Sequence, residues 1–336
     1  MKAFGAQNKT ISSIIAFETD IPKLEDYDLL VKVEAVSVNP VDTKVRQSID
    51  EERTSPLILG YDGYGTVIQT GIKSTKFKKG DTVFWAGDVT RSGSNAEFQA
   101  VDERIVGKAP EKISIEESVA MPLTSLTAYE LIFEKLDISK EGLDAGKQML
   151  IINGAGGVGS VAIQMAKKIA GLTVIATASN GESTKWVVEK GADYVIDHHK
   201  NLISQVRSLG IEYVDYILIL NAVNQHIDAA TELIAPQGKI ANIVEPGRPI
   251  NLDRLAHKSA SFNFEWMFTK VVSQTKDIET QHDILNEVSD WLDQGIIKST
   301  FSKNLGEISA ENLREAHRIL EDGHMIGKIV LTNKPC

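Results

Sequence analysis

The chain has 336 residues, a length that usually divides into two domains because a single hydrophobic core stops growing below this size. Hydrophobic residues make up 42% and charged residues 24%, as in globular proteins. The formal net charge of −10 argues against nucleic acid or an anionic membrane as a partner, because a phosphate-binding surface needs a surplus of Lys and Arg.

Neither the ends of the chain nor its cysteine content indicates secretion. The N-terminal stretch MKAFGAQNKTISSIIAFETD contains no apolar run long enough for a signal peptide or a membrane span. The single cysteine, Cys336, permits no disulfide within the chain, which suits a reducing compartment. We therefore expect a cytoplasmic protein.

The N-terminal third is predicted to be rich in β-strands. The segment 29–38 (LLVKVEAVSV) alternates partly between apolar and polar residues, and TVIQTG, DTVFWAG and NAEFQAV follow between glycine-containing turns. Short strands of irregular spacing indicate a compact, barrel-like unit. A helical pattern follows from Ile115, and Pro122 is expected to kink or restart that helix.

The second half alternates regularly between strand and helix patterns. This alternation predicts a doubly wound α/β domain, in which a parallel sheet carries helices on both faces. The segments, in order, are QMLIIN, GGVGSVAIQMAKKIA, LTVIATAS, ESTKWVVEKG, YVIDH, NLISQVRSLG, YVDYILILNAV, HIDAATELIA and GKIANIVEP. Near the end, ENLREAHRILEDG predicts an amphipathic helix and IGKIVLTN a terminal strand.

A glycine motif stands at the first strand-to-helix turn of this half. Gly154, Gly156 and Gly159 match G-x-G-x-x-G, a pattern that by itself is also found in purely structural turns. Here the motif follows an apolar strand and opens a helix, as dinucleotide binding requires. The pyrophosphate is then expected at the free N–H groups of the helix start, around Gly157 and Val158.

The end of the next strand favours NADP(H) over NAD(H). An NAD-selective protein places Asp or Glu there to bind the ribose 2′-OH, whereas this chain has Ser179 and Asn180, with Lys185 a helical turn further on. These side chains offer hydroxyl, amide and ammonium donors to a 2′-phosphate. The alternative for Lys185 is a solvated surface lysine. The carboxylate of Glu182 favours NAD(H) instead, unless it serves only as a partner of the helix dipole.

Seven segments spread over nearly the whole chain resemble the medium-chain dehydrogenase/reductase superfamily. They are SVNPVDTKVR (37–46), LGYDGYGTV (59–67), TSLTAY (124–129), NGAGGVG (153–159), GADYVIDH (191–198), PQGKI (236–240) and GKIVL (327–331). The closer resemblance is to the quinone oxidoreductase branch, the relatives of zeta-crystallin, and more narrowly to bacterial proteins named "zinc-type alcohol dehydrogenase-like". It implies a GroES-like β-rich catalytic domain over 1–123 and 300–336, a Rossmann NADP(H)-binding domain over 124–299, and a homodimer.

The resemblance also tests that zinc label. Zinc-dependent members of the superfamily hold the metal through a Cys, a His in a Gly-His-Glu stretch and a later Cys. The matching positions here hold Asn39, Tyr61 and approximately Leu123, none of which is a competent zinc ligand. All seven histidines lie at or beyond position 198, and a four-cysteine structural site is impossible with one cysteine. We therefore predict no metal.

Several polar residues match family positions near the nicotinamide or the substrate. The resemblance implies such a role for Asn39, whose alternative is a turn residue before Pro40. Tyr61 and Tyr64 are candidate proton or hydrogen-bond donors, with a packed aromatic as the favoured alternative for Tyr64. Lys44 replaces a family Tyr and is either a phosphate contact or a surface lysine.

Further candidates for cofactor binding lie in the second half. Thr127 matches a position near the nicotinamide, although its hydroxyl can instead bond to its own helix. Asn221 follows a strand at the predicted carboxyl edge of the sheet, where ligands of such sheets bind. His198 is expected near the adenosine or in an exposed loop, and Lys328 near phosphate. The aromatic segment 262–268 resembles the family segment that reaches cofactor and dimer partner, or else packs in the core.

Without zinc to lower the pKa of an alcohol, hydride transfer to an electrophilic acceptor is the favoured chemistry. Quinones and α,β-unsaturated carbonyls accept hydride at carbon and develop charge on oxygen, which hydrogen-bond donors can stabilise. We expect NADPH-dependent reduction of such compounds. The alternatives are reduction of simple aldehydes or ketones, and a non-catalytic nucleotide-binding sensor.

Overall fold

The computed structural model describes residues 1–333, so Cys336 lies outside the described residues. The chain forms two compact units: the first comprises Met1–Leu126 with 268–333, and the second comprises Thr127–Met267. The boundaries expected from the sequence were 123 and 300; the second unit here covers 127–267, and 268–299 lies with the first unit. Within that segment, the Asn286 side chain accepts a hydrogen bond from the Lys108 amide at 2.8 Å.

The first unit is built mainly from antiparallel strands. Its strands are β1 (Lys2–Ala6), β2 (Ile14–Glu18), β3 (Asp28–Val38), β4 (Leu57–Ile58), β5 (Gly63–Thr70), β6 (Thr82–Trp85), β7 (Phe98–Asp102), β8 (Val106–Lys108), β15 (Phe301–Asn304) and β16 (Lys328–Thr332). One sheet has the order β15-β16-β3-β5-β6-β8, with β7 also paired to β3, and a second has the order β2-β1-β4. In its first half β3 lies between β5 and β7, and Leu29, Leu30 and Val31 are all buried there.

The helices of the first unit are short apart from two near the C-terminus. They are α1 (Pro40–Gln47), α2 (Ile115–Val119), α3 (Pro122–Tyr129, along which the unit boundary falls), α9 (Thr269–Val272), α10 (Thr280–Asp293) and α11 (Ala310–Glu321). Pro122 starts α3 after the break that ends α2, which confirms its predicted effect. Throughout residues 1–333, no helix has both the length and the apolar character needed to cross a bilayer.

The second unit is the predicted doubly wound domain. Its strands are β9 (Gln148–Ile152), β10 (Thr173–Thr177), β11 (Tyr194–Ile196), β12 (Val214–Ile219), β13 (Ile234–Asn242) and β14 (Ser261–Phe264), and its helices are α4 (Gly157–Gln164), α5 (Gly181–Lys190), α6 (Leu202–Ser208), α7 (Val223–Leu233) and α8 (Asp253–Lys258). All strands run parallel in the order β11-β10-β9-β12-β13-β14. The α/β fold class, with a GroES-like and a Rossmann-like domain, is confirmed.

Candidate functional site

The glycine motif forms a tight turn between β9 and α4. Asn153 adopts a left-handed conformation with φ of 71°, and its amide donates to Thr177 Oγ1 of β10 at 2.9 Å. A Cβ on Gly159 would lie 2.3 Å from the Asn153 carbonyl oxygen, and one on Gly154 would lie 2.9 Å from Ala176 Cβ. The turn therefore requires glycine at both positions.

The start of α4 is open to an anion. Its N-cap residue is Gly156, which has no side chain to accept the N–H groups of the first turn. Those groups, around Gly157 and Val158, carry the positive end of the helix dipole. The residues present at this turn therefore fit the pyrophosphate of a dinucleotide.

The residues predicted to select the cofactor follow β10, the strand next to β9. Ser179 and Asn180 are exposed, and Asn180 Oδ1 accepts the Ser183 amide at 2.8 Å as the N-cap of α5. The Lys185 side chain is 79% exposed, with its ammonium 3.8 Å from Glu189. Ser179 and Asn180 thus lie at the carboxyl edge of the sheet, whereas Lys185 is a solvated lysine in this arrangement.

His198 and Asn221 also follow strands at this edge, β11 and β12. His198 Nδ1 is buried without a hydrogen-bond partner, and the ring centroid lies 4.4 Å from that of His199. Burial, and then the charge of His199, lower the pKa of His198. Asn221 is exposed, while Thr127 is buried within α3.

A second group of polar residues lies inside the first unit. Asn39, Asp42, Asp62 and Lys328, which we call the buried polar cluster, are each at most 3% exposed. Three strands bring them together: Asn39 follows β3, Asp62 precedes β5 and Lys328 begins β16. Because β3 pairs with both β5 and β16, these strand ends are neighbours.

Asp62 is the hub of the buried polar cluster. Its Oδ2 accepts from Lys328 Nζ at 2.9 Å and from Asn39 Nδ2 at 2.7 Å, and its Oδ1 accepts from the Leu123 amide at 2.8 Å. Burial raises the pKa of Asp62, while Lys328 and Asn39 oppose the shift. Only a carboxylate next to a tyrosine in GYDGYG and a lysine in GKIVL signal this pair in the sequence, and neither marks the other as its partner.

Lys328 and Asn39 make contacts that differ from those expected of them. Lys328 Nζ donates to Asn39 Oδ1 and to the Val38 carbonyl at 3.3 Å, besides its bond to Asp62, so all three ammonium protons have acceptors. Asn39 Nδ2 also points to the Ser37 carbonyl at 3.4 Å. In this structure both side chains are bonded within the unit, and the phosphate contact of Lys328 and the substrate contact of Asn39 stay predictions.

Asp42 links the cluster to the start of α1. Its carboxylate accepts hydrogen bonds from the backbone N–H of Asn39 at 2.8 Å and from the backbone N–H of Gly60 at 2.9 Å. Burial raises the pKa of Asp42 to about 7, although the hydrogen bond from the Asn39 backbone and the charge of Lys328 both lower it. The capping box Asn39–Asp42 thereby fixes the backbone on which Asn39 stands.

Tyr61 lies between Gly60 and Asp62 with its side chain almost fully buried. Its ring meets that of Phe268 edge to face, with 5.6 Å between centroids. Within residues 1–333 the Tyr61 hydroxyl makes no hydrogen bond. Burial, and then the carboxylates of Asp42 and Asp88, raise the pKa of this hydroxyl, so it stays protonated.

The two remaining candidates of the first unit lie apart from the cluster. Tyr64 packs against Ala35, Val119 and Val330, which is the packed-aromatic alternative expected for it. Lys44 is exposed on α1. The structure gives neither side chain a contact with Asp62 or Lys328.

The residues at the positions expected for zinc ligands do not fit zinc. These positions hold the Asn39 amide, already bonded to Asp62 and Lys328, the protonated Tyr61 hydroxyl and Leu123. The Lys328 ammonium is bonded to Asn39, one of these residues. Over the part of the chain that the structure describes, no three His, Cys, Asp or Glu side chains are grouped to hold a metal ion.

The two units define the class of dinucleotide-dependent oxidoreductases with a GroES-like domain. Residues 25–124 match the family model "Alcohol dehydrogenase GroES-like domain", and residues 190–331 match "Zinc-binding dehydrogenase". The chain is 44% identical over 316 residues to a zinc-type alcohol dehydrogenase-like protein of Staphylococcus aureus, covering 94% of this chain and 93% of the relative. It is 27% identical to an NADPH-dependent alkenal/one oxidoreductase of Arabidopsis thaliana, covering 98% of this chain and 79% of the relative.

Solved structures show the same architecture. A putative zinc-dependent alcohol dehydrogenase from Rhizobium etli has a TM-score of 0.94 at 40% identity, covering 100% of this chain and 99% of that chain. The fold is also that of an Escherichia coli quinone oxidoreductase complexed with NADPH, with a TM-score of 0.82 at 22% identity, covering 99% of this chain and 100% of that one. The chain belongs to the medium-chain dehydrogenase/reductase superfamily, as the sequence predicted.

Proposed function

We propose that this protein is a zinc-independent, NADPH-dependent reductase of quinones or α,β-unsaturated carbonyls. The observation that supports the proposal is the buried polar cluster, in which an ammonium and the amide of Asn39, one of the positions expected for a zinc ligand in zinc-dependent members of the family, are both bonded to Asp62. A bound NADPH supplies hydride. Without a metal to activate an alcohol, an acceptor that is already electrophilic is the better substrate.

The cofactor proposal rests on the second unit. The uncapped N–H groups around Gly157 and Val158 bind the pyrophosphate. Ser179, Asn180 and Lys185 bind the 2′-phosphate, which meets no carboxylate at the first two positions. The name of the Arabidopsis relative, which specifies NADPH, supports this choice. His198, Asn221 and Thr127 remain proposed contacts with the rest of the cofactor.

Tyr61 is our proposed donor to the acceptor oxygen. Its hydroxyl makes no hydrogen bond within residues 1–333 and its raised pKa keeps it protonated, so it has a proton to donate. Such a donor stabilises negative charge as it develops on oxygen. Asn39 acts in this proposal as a positioning residue, because its amide is used within the buried polar cluster.

An acceptor panel tests the proposed function. Purified protein of measured zinc content is given NADPH with 1,2-naphthoquinone, a simple enone or acetaldehyde, and NADPH oxidation is followed by absorbance. We expect turnover with the first two acceptors and none with acetaldehyde. Preferential reduction of acetaldehyde would favour the aldehyde reductase, NADPH binding without any turnover would favour the nucleotide sensor, and stoichiometric zinc would contradict the metal-free site.

We further propose that the protein is a homodimer formed along β14. This strand is an edge of the parallel sheet; its last residue, Phe264, is 56% exposed, and Trp266, two residues further on, is 51% exposed. An edge strand with exposed aromatic side chains is a ready surface for pairing with a second copy. Light scattering should give twice the chain mass for the wild type and the monomer mass for Phe264→Lys; a monomeric wild type would contradict the proposal.

A further inference from the structure

We propose that Trp186 is a positioning residue for cofactor selectivity, holding the segment that binds the 2′-phosphate at a fixed place beside the pyrophosphate turn. The proposal rests on the proposed NADPH binding. It concerns a side chain that touches neither of the two phosphate sites. The contact that carries it is a hydrogen bond from Trp186 on α5 to Ser160 on α4.

The Ser160 side of this bond reaches the backbone of the glycine turn. Both the amide and the hydroxyl of Ser160 donate to the Gly156 carbonyl, at 2.9 and 2.7 Å. The hydroxyl oxygen in turn accepts from Trp186 Nε1 at 2.8 Å. Ser160 is fully buried, which limits the competition of water for the bonds of its hydroxyl. The indole is therefore bonded through one hydroxyl to the N-cap residue of α4.

The Trp186 side of this bond reaches the selectivity segment through α5. Asn180 Oδ1 accepts the Ser183 amide at 2.8 Å, and Ser183 Oγ accepts the amides of Asn180 at 3.1 Å and Ser179 at 3.3 Å. Ser179 and Asn180 are thus fixed to the first turn of α5. Whatever sets the position of α5 also sets the position of these two residues.

Two packing contacts keep the indole and its helix in place. The Lys190 ammonium lies 4.3 Å from the centroid of the Trp186 ring, a cation–π distance. Val187, the next residue of α5, packs on the turn so closely that a Cβ on Gly154 would lie 3.3 Å from Val187 Cγ1. The bond between Trp186 and Ser160 adds direction to the Val187 contact, because hydrogen bonds depend on angle whereas apolar contacts do not.

This geometry predicts an effect on selectivity rather than on binding in general. NADPH and NADH share the pyrophosphate, so the contacts around Gly157 serve both cofactors. Only NADPH has a phosphate to place near Ser179 and Asn180. A small displacement of α5 relative to α4 therefore weakens NADPH binding while leaving NADH binding nearly unchanged.

Calorimetric titration of the whole protein with NADPH and with NADH tests the proposal. Trp186→Phe keeps a ring and removes the N–H, and Ser160→Ala removes the acceptor. Each should raise the Kd for NADPH about threefold to tenfold, as expected for one lost hydrogen bond, with little change for NADH. Trp186→Phe should have no further effect in the Ser160→Ala background, since the bond between these two residues is already lost there. Val188→Ala, at an exposed position of the same helix, is the control.

The possible results separate this proposal from the proposed function. If the wild type prefers NADPH and the variants keep that preference, the role of Trp186 is contradicted and the proposed function stands. Equal weakening of both cofactors also contradicts it, because that result indicates only support of the fold. If the wild type binds no dinucleotide or prefers NADH, both proposals fall.

Discussion

Asp62 receives three hydrogen bonds inside the protein, from an ammonium, an amide and a backbone N–H. Removing a carboxylate and an ammonium from water is costly, and the cost is recovered only when both charges are paired and fully bonded. Lys328 meets that condition, because its three protons have the acceptors Asp62, Asn39 and the Val38 carbonyl. At the scale of single residues, each member of the buried polar cluster therefore depends on the others for its hydrogen bonds.

Lys328→Met should lower the free energy of unfolding by about 3–5 kcal/mol, because it leaves the Asp62 carboxylate buried without its cation. Urea denaturation measures the change. Lys303→Met, at an exposed position in the adjacent strand β15, is the matched control and should have little effect. Equal stability of the two variants would show that the ion pair is not what holds the strand ends together.

Asp42 should make stability depend on pH in a defined direction. Its pKa is about 7 in the folded protein against an ordinary value of 3.8, so the folded state holds the proton more tightly than the unfolded state does. This group's contribution to stability is complete below the ordinary value and is lost as pH rises through about 7. As the pH rises from 3.8 to about 7, the wild type should thus lose stability relative to Asp42→Asn. Urea denaturation at a series of pH values measures this loss.

Asp50, whose side chain is exposed to solvent, provides the control for this experiment. Asp50→Asn makes the same substitution at an exposed carboxyl and is measured at the same pH values. A pH-independent stability difference between wild type and Asp42→Asn would mean that Asp42 does not titrate near neutrality.

Tyr61→Phe should lower kcat with an enone by about 10²- to 10³-fold, the usual effect of removing one donor to a developing oxyanion. The Kd for NADPH should not change, because the proposed contact is with the acceptor. Tyr64→Phe removes the same atom from a ring that packs in the core and should leave kcat unchanged. Similar kcat values for the two variants would remove Tyr61 from the proposed mechanism.

At the scale of elements, the sequence predicted the second unit better than the first. The alternation of apolar strands with amphipathic helices is local, so β9–β13 and α4–α7 follow from it, with helix ends shifted by a few residues. Strands β1 and β2 and helix α10 were not predicted. Their stability comes from distant partners, such as the bond between Asn286 and Lys108, and no local pattern signals those partners.

The same contrast applies to the candidate site. The glycine turn was predictable because its function requires particular residues at a fixed spacing. The buried polar cluster was not, because Asn39, Asp62 and Lys328 are far apart in the chain and meet only through strand pairing. Two of these residues were predicted as functional, but the contacts they make were not.

Gly159→Ala should disrupt the glycine turn, because its Cβ would lie 2.3 Å from the Asn153 carbonyl oxygen. We expect a loss of NADPH affinity of more than about tenfold, together with a lower unfolding temperature. Calorimetric titration and thermal unfolding measure the two effects. Gly247→Ala, where a Cβ meets nothing within 4 Å, should change neither. Wild-type affinity in Gly159→Ala would argue against a cofactor at this turn.

At the scale of the whole molecule, the names of the relatives indicate zinc dependence, whereas the function that we propose from the site is zinc-independent. The family model matched by 190–331 and the S. aureus and R. etli relatives carry zinc in their names. The residues expected at the zinc-ligand positions of this chain are Asn39, Tyr61 and approximately Leu123, and the Lys328 ammonium is bonded to Asn39. Because function resides in the site rather than in the fold, the site decides our proposal.

The most direct test of this account is to follow the hydride itself. Protein with measured, substoichiometric zinc is incubated with a simple enone and NADPH carrying deuterium at C4 of the nicotinamide, and the product is analysed by NMR. The account predicts a saturated ketone with deuterium on the β-carbon, formed at the same rate after treatment with a chelator. Deuterium on the carbonyl carbon of an allylic alcohol, or activity that appears only with added zinc, would contradict it.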